Sequence, residues 1–530
     1  MYSSYSKLQR KQLQTQVYTD TQSTYLLVYA PGRHRALAHT LDQQLHCKAR
    51  LVTSLEGELT PDVAGVLVAA EDVECMSTAL MYFAAALEQG ADLAVCDAVF
   101  GFDGTTALSL GTGPMPEVGC ALLSRSLLAQ CCAAAESDQP AALLAQAAKL
   151  AQNIVHIPQA LLHYRRELQA EDVFAPDGKR VLVMSHVLDM TGAPIVLVSA
   201  VPVLRSLGYQ VVVLGPAAEG SHTLFLENGA TVITNPDCVR GCALWGLACE
   251  ADLVLANTVV EAPAVEALNG SSLPVLWWLH DAFAGYPYMT HQIPRKLSSN
   301  VRLCAVGSHA AAAMHSVRPD FDIDQLIYGL PDYAQEQFAH YDLSYTGGRP
   351  LFVTVGSFEL RKGQDILCKA IRLLPDAVRE QAAFLFVGKA ADPRMMDAVR
   401  ELTDDMPQTV FYRKRLTRDE IKSLMQQCAC VVCSSRDDPM PTFVTEGLIF
   451  GKPSIVSEHT GTAGLVTEGV DGFVYREDDP AQLAAALEQA ITHPEQLAAM
   501  APACRRLYEQ QYSNAAFVEN LTRLVQELTE

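Results

Sequence analysis

Short apolar runs alternate with helix-like stretches through the middle of the chain. The runs Val181–Met184 and Gln210–Leu214 are rich in apolar residues, as is typical of parallel strands that are buried on both faces. A turn and a helix-like segment separate them, and the strand-like runs DLVLAN, PVLWWLH and RLCAVGS follow further along. This order of strand, turn, helix and strand predicts a doubly wound α/β domain.

The same pattern starts again at residue 349, where RPLFVTVGSFELRKGQDILCKAIRLL leads from a strand through a turn into an amphipathic helix. Further strands are predicted at Ala383–Val387, Thr409–Tyr412, Ala429–Cys433, Ser454–Val456 and Gly472–Tyr475. The polar stretch 331–348 is bounded by proline and glycine, which predicts a linker. We therefore expect two Rossmann-like domains, residues 176–335 and 336–530, with ligands in the cleft between them. The amphipathic segment Asn514–Leu528 predicts a final helix that packs back on the first of these domains.

Residues 1–175 form a further block. Its predicted strands, Tyr25–Tyr29, Gly65–Ala69, Leu93–Cys96 and Ile154–Ile157, are separated by stretches rich in alanine and leucine. We expect an additional α/β domain here. A chain of 530 residues is too long for one hydrophobic core, and three domains of ordinary size agree with that length.

Composition and charge narrow the function classes. The formal net charge of −21 argues against a face for nucleic acid or anionic lipid. No apolar window of about 18 residues is free of charges and turn residues, and the first 20 residues are polar, so we expect neither a membrane span nor a signal peptide. The 15 cysteines are scattered, which favours buried thiols in a reduced, cytoplasmic protein. Contact with the inner face of the membrane would be peripheral at most.

The turn after Val355 offers the first candidate chemistry. Gly356, Arg361 and Lys362 lie between a predicted strand and a predicted helix. A helix N-terminus carries free N–H groups and partial positive charge, and a guanidinium beside an ammonium suits a diphosphate. Two solvated surface cations are the alternative interpretation.

Acidic residues surround a second strand-to-helix turn, in SSRDDPMPTFVTEGLIFGKPSIVSE. Asp438 and Glu446 can border one pocket if the helix begins near Thr442, and their carboxylates can accept sugar hydroxyls. The N–H groups of Thr442, Phe443 and Val444 can meet phosphate oxygens. For each acid alone, a helix cap or an ordinary helix glutamate is the alternative. Asp437 is expected to play no part.

The stretch from residue 434 to 475 resembles the donor-site signature of glycosyltransferase family 4. The family pattern is an acid, seven residues and a glutamate, then Gly-x-Pro, and it is met here by Asp438, Glu446, Gly451 and Pro453. The first acid is Asp rather than the commoner Glu. VGSFELRKGQD resembles the phosphate-binding segment of the family, with Ser357 where an arginine is usual. The resemblance covers roughly residues 180–530 and implies the GT-B fold of two facing Rossmann-like domains.

Two positions in the first Rossmann-like domain extend the resemblance. SHVLDMTGAPIVL resembles the glycine-containing loop of the family, in which Gly192 would let the backbone approach a ligand. PVLWWLHDAF resembles the strand whose last polar residue faces the donor sugar, and His280 fits that place. A structural histidine is the alternative of equal weight. Asn257 and Thr258 also end a strand, where a cap is the favoured interpretation.

The resemblance implies a retaining transferase that moves a sugar from a nucleotide-diphosphate sugar to a glycan, a lipid-linked carrier or a protein. Arg361, Lys362 and the helix N-terminus would stabilise the leaving diphosphate. Glu446 would hold the ribose hydroxyls, Asp438 would orient the transferred sugar, and His280 would contact the region of the anomeric centre. Neither a metal nor a cofactor is expected. The alternative is a non-catalytic glycosyltransferase-like subunit that binds acceptor or stabilises an active partner.

The first block resembles a degenerate family 2 glycosyltransferase of the GT-A type, most specifically in HIPQALLHYRRE. That family binds a metal through Asp-x-Asp, but the corresponding stretch here reads Ala69-Ala70-Glu71-Asp72. The resemblance implies acceptor binding, docking to a partner subunit or homo-oligomerisation rather than catalysis. An unrelated α/β domain is the alternative.

Overall fold

The computed structural model describes residues 24–32, 34–44, 47–102, 104–111, 118–135, 137–240, 243–476 and 478–530. The polar first 20 residues, which argue against a signal peptide, lie outside these ranges. The chain divides into two compact units, Met1–Ala256 and Asn257–Glu530. The predicted domain boundaries at 175/176 and 335/336 fall inside these units and stay predictions.

The strands in the described ranges are β1 (Tyr25–Tyr29), β2 (Lys48–Val52), β3 (Val63–Ala69), β4 (Glu74–Cys75), β5 (Leu93–Phe100), β6 (Thr106–Ser109), β7 (Cys120–Ser124), β8 (Ile154–Tyr164), β9 (Lys179–Ser185), β10 (Tyr209–Gly215), β11 (Thr231–Thr234), β12 (Leu253–Asn257), β13 (Val275–Leu279), β14 (Val301–Ala305), β15 (Asp324–Gln325), β16 (Leu351–Val355), β17 (Ala383–Val387), β18 (Val410–Arg413), β19 (Cys430–Cys433), β20 (Ser454–Ser457) and β21 (Gly472–Tyr475).

The α-helices in the same ranges are α1 (Arg35–Leu41), α2 (Ala79–Glu88), α3 (Arg125–Ala134), α4 (Pro140–Leu150), α5 (Gly192–Val198), α6 (Ala200–Ser206), α7 (Ser221–Glu227), α8 (Ala262–Leu268), α9 (Tyr286–Met289), α10 (Ser308–His315), α11 (Gln364–Leu373), α12 (Asp376–Arg379), α13 (Pro393–Glu401), α14 (Arg418–Gln427), α15 (Thr442–Ile449), α16 (Pro480–Thr492), α17 (Pro494–Leu507) and α18 (Asn514–Thr529). None of them combines the length and the apolar character needed to cross a bilayer.

The first unit is built on one mixed sheet. Its strand order is β12-β9-β10-β11-β6-β5-β7-β3-β1-β2, and β8 pairs with β5 and β4. The strands β9 and β10 run parallel, as their apolar sequences predict, and β11 runs parallel to β10. In the middle of this sheet a strand of the first block, β6, lies next to β11 of the first Rossmann-like domain.

These two strands form an antiparallel pair. β6 of the first block pairs with β11, with Ser109, Leu108 and Ala107 opposite Val232, Ile233 and Thr234. Next to it, the Asn235 amide donates to Thr106 Oγ1 at 2.9 Å. The ladder and this buried hydrogen bond make the first block an extension of the sheet that follows it in sequence.

The second unit contains a six-stranded, all-parallel sheet with the order β18-β17-β16-β19-β20-β21. In order of appearance these strands read 3-2-1-4-5-6, the order of a doubly wound dinucleotide-binding fold. The restart predicted at residue 349 is therefore confirmed. The hydrophobic core lies on this sheet and includes Val353, Leu385, Val431, Val444 and Val456.

The same unit carries the parallel strands β13, β14 and β15 and the final helix α18. Phe517 of α18 stacks on Trp278 of β13, with the ring centroids 5.6 Å apart. Arg302 of β14 forms an ion pair with Glu527 of the same helix at 2.8 Å. The final helix thus packs on strands that precede the linker. The predicted linker itself, residues 331–348, contains only a short 3₁₀ turn at Ser344–Thr346.

Candidate functional site

The strand order of the six-stranded sheet selects one edge for ligand binding. The direction of winding reverses between β16 and β19, and in such sheets ligands bind beyond the carboxyl ends of the strands at this switch point. The segment after β16 carries Arg361 and Lys362, and the segment after β19 carries Asp437 and Asp438. The two stretches singled out in the sequence therefore meet at one place.

A glycine allows the two turns to approach each other. Gly363 has a φ of +61°, and a Cβ built there would lie 2.0 Å from the carbonyl oxygen of Ser434. Any side chain at this position would push the turns apart, because the backbone conformation is left-handed and the opposing atom belongs to the main chain. Gly363 is therefore required for the site to close.

An arginine then fastens the two turns. The guanidinium of Arg436 donates to both oxygens of Asp365 at 2.8 and 2.9 Å and to the carbonyl of Leu360 at 2.9 Å. Its own N–H donates to the carbonyl of Arg361 at 2.8 Å. The sequence analysis did not single out Arg436, although it is the one basic residue beside Asp437 and Asp438 in the turn after β19.

Lys362 and Asp438 form a largely buried ion pair. The Lys362 ammonium lies 2.6 Å from Asp438 Oδ2, and only 5% of the Asp438 side chain is exposed. Arg361 donates to the carbonyl of Asp437 at 3.0 Å and to Glu359 at 3.1 Å. The two predicted phosphate-binding cations therefore lie beside the predicted sugar-binding acid, and both already have protein partners.

Helix α15 begins at Thr442, as predicted, and contributes its first turn to the same edge. Its N-cap residue, Pro441, has no side-chain acceptor for the first N–H groups. The N–H of Val444 donates to the carbonyl of Pro441 at 3.1 Å, and its contact with a phosphate stays a prediction. Thr442 and Phe443 lie too early in the helix for their N–H groups to have acceptors within it.

Glu446 lies on the second turn of α15 with 4% of its side chain exposed. Its Oε1 accepts a hydrogen bond from Arg418 of α14 at 2.6 Å. Burial raises the pKa of Glu446 above its ordinary value, against the opposing effect of Arg418 and Lys422. The contact of Glu446 with a ribose stays a prediction, and its arginine partner was not predicted.

Asp437 has contacts within the protein that the sequence did not suggest, and its expected lack of a role in ligand binding stays a prediction. It accepts hydrogen bonds from the N–H groups of Phe283 and Ala284 at 3.2 and 3.1 Å and from His309 Nε2 at 2.8 Å. Burial alone would raise the pKa of Asp437, but the bonds from His309, Ala284 and Phe283 outweigh it and hold the pKa below its usual value. Asp437 thus ties segments that precede the linker to the switch-point turn.

Other polar groups lie where β12 and β13 end. His280 follows β13, is half-buried and packs against Trp278, with the ring centroids 4.4 Å apart. Asp281 accepts from the N–H of Val259 at 2.6 Å, and burial raises its pKa to about 6. Burial also raises the pKa of Glu261 to about 8. Asn257 is the last residue of β12, and Thr258, which follows it, has a φ of 76°.

The predicted site glycines differ in what surrounds them. Gly192 is the first residue of α5 in the first unit, and a Cβ there would meet nothing within 4 Å. Packing therefore does not require glycine at this position, and its contact with a ligand stays a prediction. The carbonyl of Gly356 would lie 1.9 Å from a Cβ at Gly388, so these two backbones touch.

Glu71 and Asp72, in the stretch that corresponds to Asp-x-Asp, accept hydrogen bonds from other groups of the protein. Both oxygens of Glu71 accept from the Arg166 guanidinium at 2.7 and 3.0 Å, and the same guanidinium bonds Asp172 at 2.7 and 2.8 Å. Asp72 accepts from the N–H groups of Ala36 and Leu37 at the start of α1. In the part of the chain that the structure describes, no group of three His, Cys, Asp or Glu residues is arranged to hold a metal.

Comparison with protein families identifies two regions. Residues 177–318 match the model of "Glycosyl-transferase family 4", and residues 338–507 match "Glycosyl transferases group 1". Together they cover more than half of the chain.

Curated relatives match shorter stretches. Human alpha-1,3/1,6-mannosyltransferase ALG2 is 24% identical over 198 residues, which is 35% of this chain and 47% of the relative. Glycogen synthase of Pseudomonas syringae pv. syringae is 26% identical over 172 residues, 32% of this chain and 34% of the relative. The chain therefore spans less than half of the length of either relative.

Solved structures match the fold. HepE from Anabaena, crystallised in complex with UDP-glucose, superposes with a TM-score of 0.53 at 18% identity, covering 66% of this chain and 99% of that one. Sucrose-phosphate synthase from Thermosynechococcus elongatus superposes with a TM-score of 0.52 at 15% identity, with the same coverage.

Proposed function

The chain belongs to the GT-B glycosyltransferases through its family 4 and group 1 domains, and we propose that it transfers a sugar from a nucleotide-diphosphate sugar with retention of configuration. The predicted α/β class and the GT-B fold are confirmed by these matches and by the structural neighbours. The resemblance of residues 1–175 to GT-A enzymes stays a prediction. In this proposal the donor is UDP- or GDP-linked, and the neighbour crystallised with UDP-glucose supports the UDP-linked form.

One observation carries the proposal. At the switch point a cation pair, a buried carboxylate and the start of a helix come together within the group 1 domain. A leaving diphosphate needs positive charge and N–H donors, and a sugar needs carboxylate acceptors. Arg361 and Lys362 supply the charge, Thr442 and Phe443 supply N–H groups, and Asp438 supplies the acceptor.

This placement supports the following proposed roles. As the glycosidic bond breaks, negative charge grows on the diphosphate, and Arg361 and Lys362 stabilise it. Lys362 would be shared between Asp438 and the ligand, which also orients Asp438 toward the sugar. Glu446 accepts the ribose hydroxyls, and His280 contacts the sugar near its anomeric carbon. We propose that neither a metal nor a cofactor takes part.

The acceptor is a glycan, a lipid-linked carrier or a protein. The relatives named as a mannosyltransferase and a glycogen synthase support a sugar acceptor. The cytoplasmic location and the role of residues 1–175 in binding a partner or a second copy are further parts of the proposal.

The test is the release of nucleotide from a panel of UDP- and GDP-sugars. We expect release with at least one donor, and a loss of about a hundredfold with Arg361→Ala, the scale seen when one transition-state donor is removed. Glu446→Ala should act mainly by weakening donor binding. Arg394→Ala, at a fully solvated arginine early in α13, is the matched control.

Two results would contradict the proposal. One is that no donor releases nucleotide above the buffer rate. The other is that Arg361→Ala and Glu446→Ala both leave the rate unchanged while the protein stays folded by its thermal melt. Nucleotide binding without turnover would favour the non-catalytic subunit instead.

A further inference from the structure

The pair formed by Arg418 and Glu446 joins a solvent-exposed base to a buried acid. Of the Arg418 side chain 67% is exposed, against 4% of Glu446. The pair is therefore not an ion pair in which both side chains are buried. The arginine reaches from the surface to a carboxylate that the fold has removed from water.

The position of Arg418 is fixed by the helix that it opens. It is the first residue of α14, and Thr417 before it is the N-cap. Thr417 Oγ1 accepts from the N–H of Glu420, and Glu420 Oε2 accepts from the N–H of Thr417 at 2.7 Å. This reciprocal capping box holds the backbone at the point from which the side chain extends.

Other charged and titratable groups near Glu446 have partners of their own. Lys422, one turn further along α14, lies 3.6 Å from Glu336 and 4.6 Å over the ring of Tyr333. Tyr328 donates to, or accepts from, Thr445 Oγ1 at 3.2 Å. Among the described residues, Arg418 alone donates a hydrogen bond to the Glu446 carboxylate.

One oxygen of Glu446 is thus occupied and the other is not. Oε1 takes the Arg418 bond, and Oε2 accepts no hydrogen bond from the described residues. A carboxylate offers about four acceptor sites, so a bond from arginine leaves room for two hydroxyl donors. A buried carboxylate without any donor would be strongly disfavoured in its ionised form.

We propose that Arg418 is a positioning residue that fixes the orientation of the Glu446 carboxylate, so that it accepts the 2′,3′-diol of a nucleoside diphosphate and makes the site select ribonucleotides. This role rests on the proposed function. It assigns the selectivity for ribose to a pair of residues rather than to Glu446 alone. A protonated Glu446 would lose acceptor capacity and would discriminate less between a diol and its deoxy form.

The test measures binding only and compares two ligands that differ in the diol. UDP and GDP are titrated against the wild type, and the tighter binder is compared with its 2′,3′-dideoxy form. The same titrations are made with Arg418→Ala, Arg418→Lys and the control Arg394→Ala. We expect the wild type to prefer the ribonucleotide by about tenfold or more, because each hydroxyl bonds a charged acceptor.

With Arg418→Ala this preference should fall by about fivefold, while the affinity for the dideoxy form changes little. Arg418→Lys should recover part of the preference, and Arg394→Ala should retain it. The pH dependence gives a second readout. Arg418 lowers the pKa of Glu446, so its removal should move the loss of ribonucleotide affinity on acidification to higher pH.

The possible outcomes distinguish a failure of the proposed function from a failure of the role assigned to Arg418. A wild type that binds neither UDP nor GDP overturns the proposed function and this role with it. A wild type that binds and prefers the ribonucleotide, with the same preference in Arg418→Ala, overturns the role of Arg418 alone. Tighter ribonucleotide binding by Arg418→Ala would mean that the arginine blocks the diol, which also overturns it.

Discussion

His309 Nε2 donates to Asp437 Oδ1 at 2.8 Å, across 128 residues of sequence. Asp437 also accepts from the N–H groups of Phe283 and Ala284. One carboxylate therefore links the segment at 283–284, helix α10 and the switch-point turn. His280 lies just before that loop, and Asp438 follows Asp437 directly. The carboxylate therefore ties together two segments that carry predicted contacts to the donor sugar.

The first prediction concerns this carboxylate. In Asp437→Asn one terminal atom becomes a donor, so the side chain can no longer accept from both N–H groups and from His309. We expect faster amide exchange at 283–284, a turnover about tenfold lower and little change in nucleotide binding. Hydrogen exchange and donor kinetics measure these quantities. Asp405→Asn removes an exposed acid paired with Arg372 and serves as the control.

Unchanged exchange at 283–284 in Asp437→Asn would show that these bonds do not order the loop in solution. A parallel loss of nucleotide binding and turnover would instead indicate that Asp437 supports the nucleotide site as a whole.

The second prediction concerns Glu446 and stability. Its folded-state pKa is raised, so the folded protein binds more protons than the unfolded chain once the pH exceeds the ordinary value of 4.5. Stability is therefore lost as the pH rises through the folded pKa. Glu446→Gln removes this loss and should therefore raise the melting temperature measured at pH 7. The gain should vanish near pH 4, and a lower melting temperature at pH 7 would contradict the argument.

The third prediction uses Glu261, whose pKa is raised by burial to about 8. Between the ordinary value of 4.5 and about 8 the folded protein takes up a proton that the unfolded chain lacks, so ionisation destabilises the fold progressively across this window. Glu261→Gln should stabilise the protein by an amount that grows from pH 5 to pH 8. Melting temperatures at unit steps of pH measure it, with the exposed Glu266→Gln on α8, the helix that follows Glu261, as control.

The fourth prediction separates the structural part of the Lys362–Asp438 pair from its chemical part. Lys362→Met leaves a largely buried carboxylate without its cation, and such a loss reaches about 3 kcal/mol. The double change with Asp438→Asn should recover most of that stability, but it should not recover turnover. Thermal melts and donor kinetics on the four proteins of the cycle measure both quantities.

The exposed ion pair Arg372–Asp405 provides a control double-mutant cycle. For this pair we expect a coupling free energy of unfolding of about 0.2–1 kcal/mol. A coupling for Lys362 and Asp438 that is equally small would mean that their ion pair does little for the fold.

The sequence predicted the local features of the site well. The strand before Gly356 and the start of α15 at Thr442 follow from apolar runs that end in turn residues, which are properties of neighbouring positions. The partners of the site residues could not be predicted in this way. Arg418 is 28 residues from Glu446, and His309 is 128 residues from Asp437, so only the folded chain brings them together.

The first block shows a second kind of limit. The predicted strands Leu93–Cys96 and Ile154–Ile157 extend in the structure to Phe100 and Tyr164. The predicted strand ended at Cys96, directly before Asp97, a charged residue that interrupts the apolar run. In the folded protein Asp97 accepts from His156 of the neighbouring strand at 2.7 Å and from the N–H of Leu110 at 3.1 Å. Pairing across strands thus satisfies a polar group that a single-strand pattern treats as a break.

The antiparallel pairing of β6 with β11 affects how the protein can be shortened for expression. A shortened protein that begins at residue 176 would keep the family 4 and group 1 regions but would lose β6. β11 would then become a bare sheet edge, with the backbone N–H and C=O groups of Val232 and Thr234 open to another chain, and such edges are templates for aggregation. A recombinant protein trimmed by sequence alone to these two regions should therefore precipitate, unless charged residues on β11 replace the protection that the first block provides.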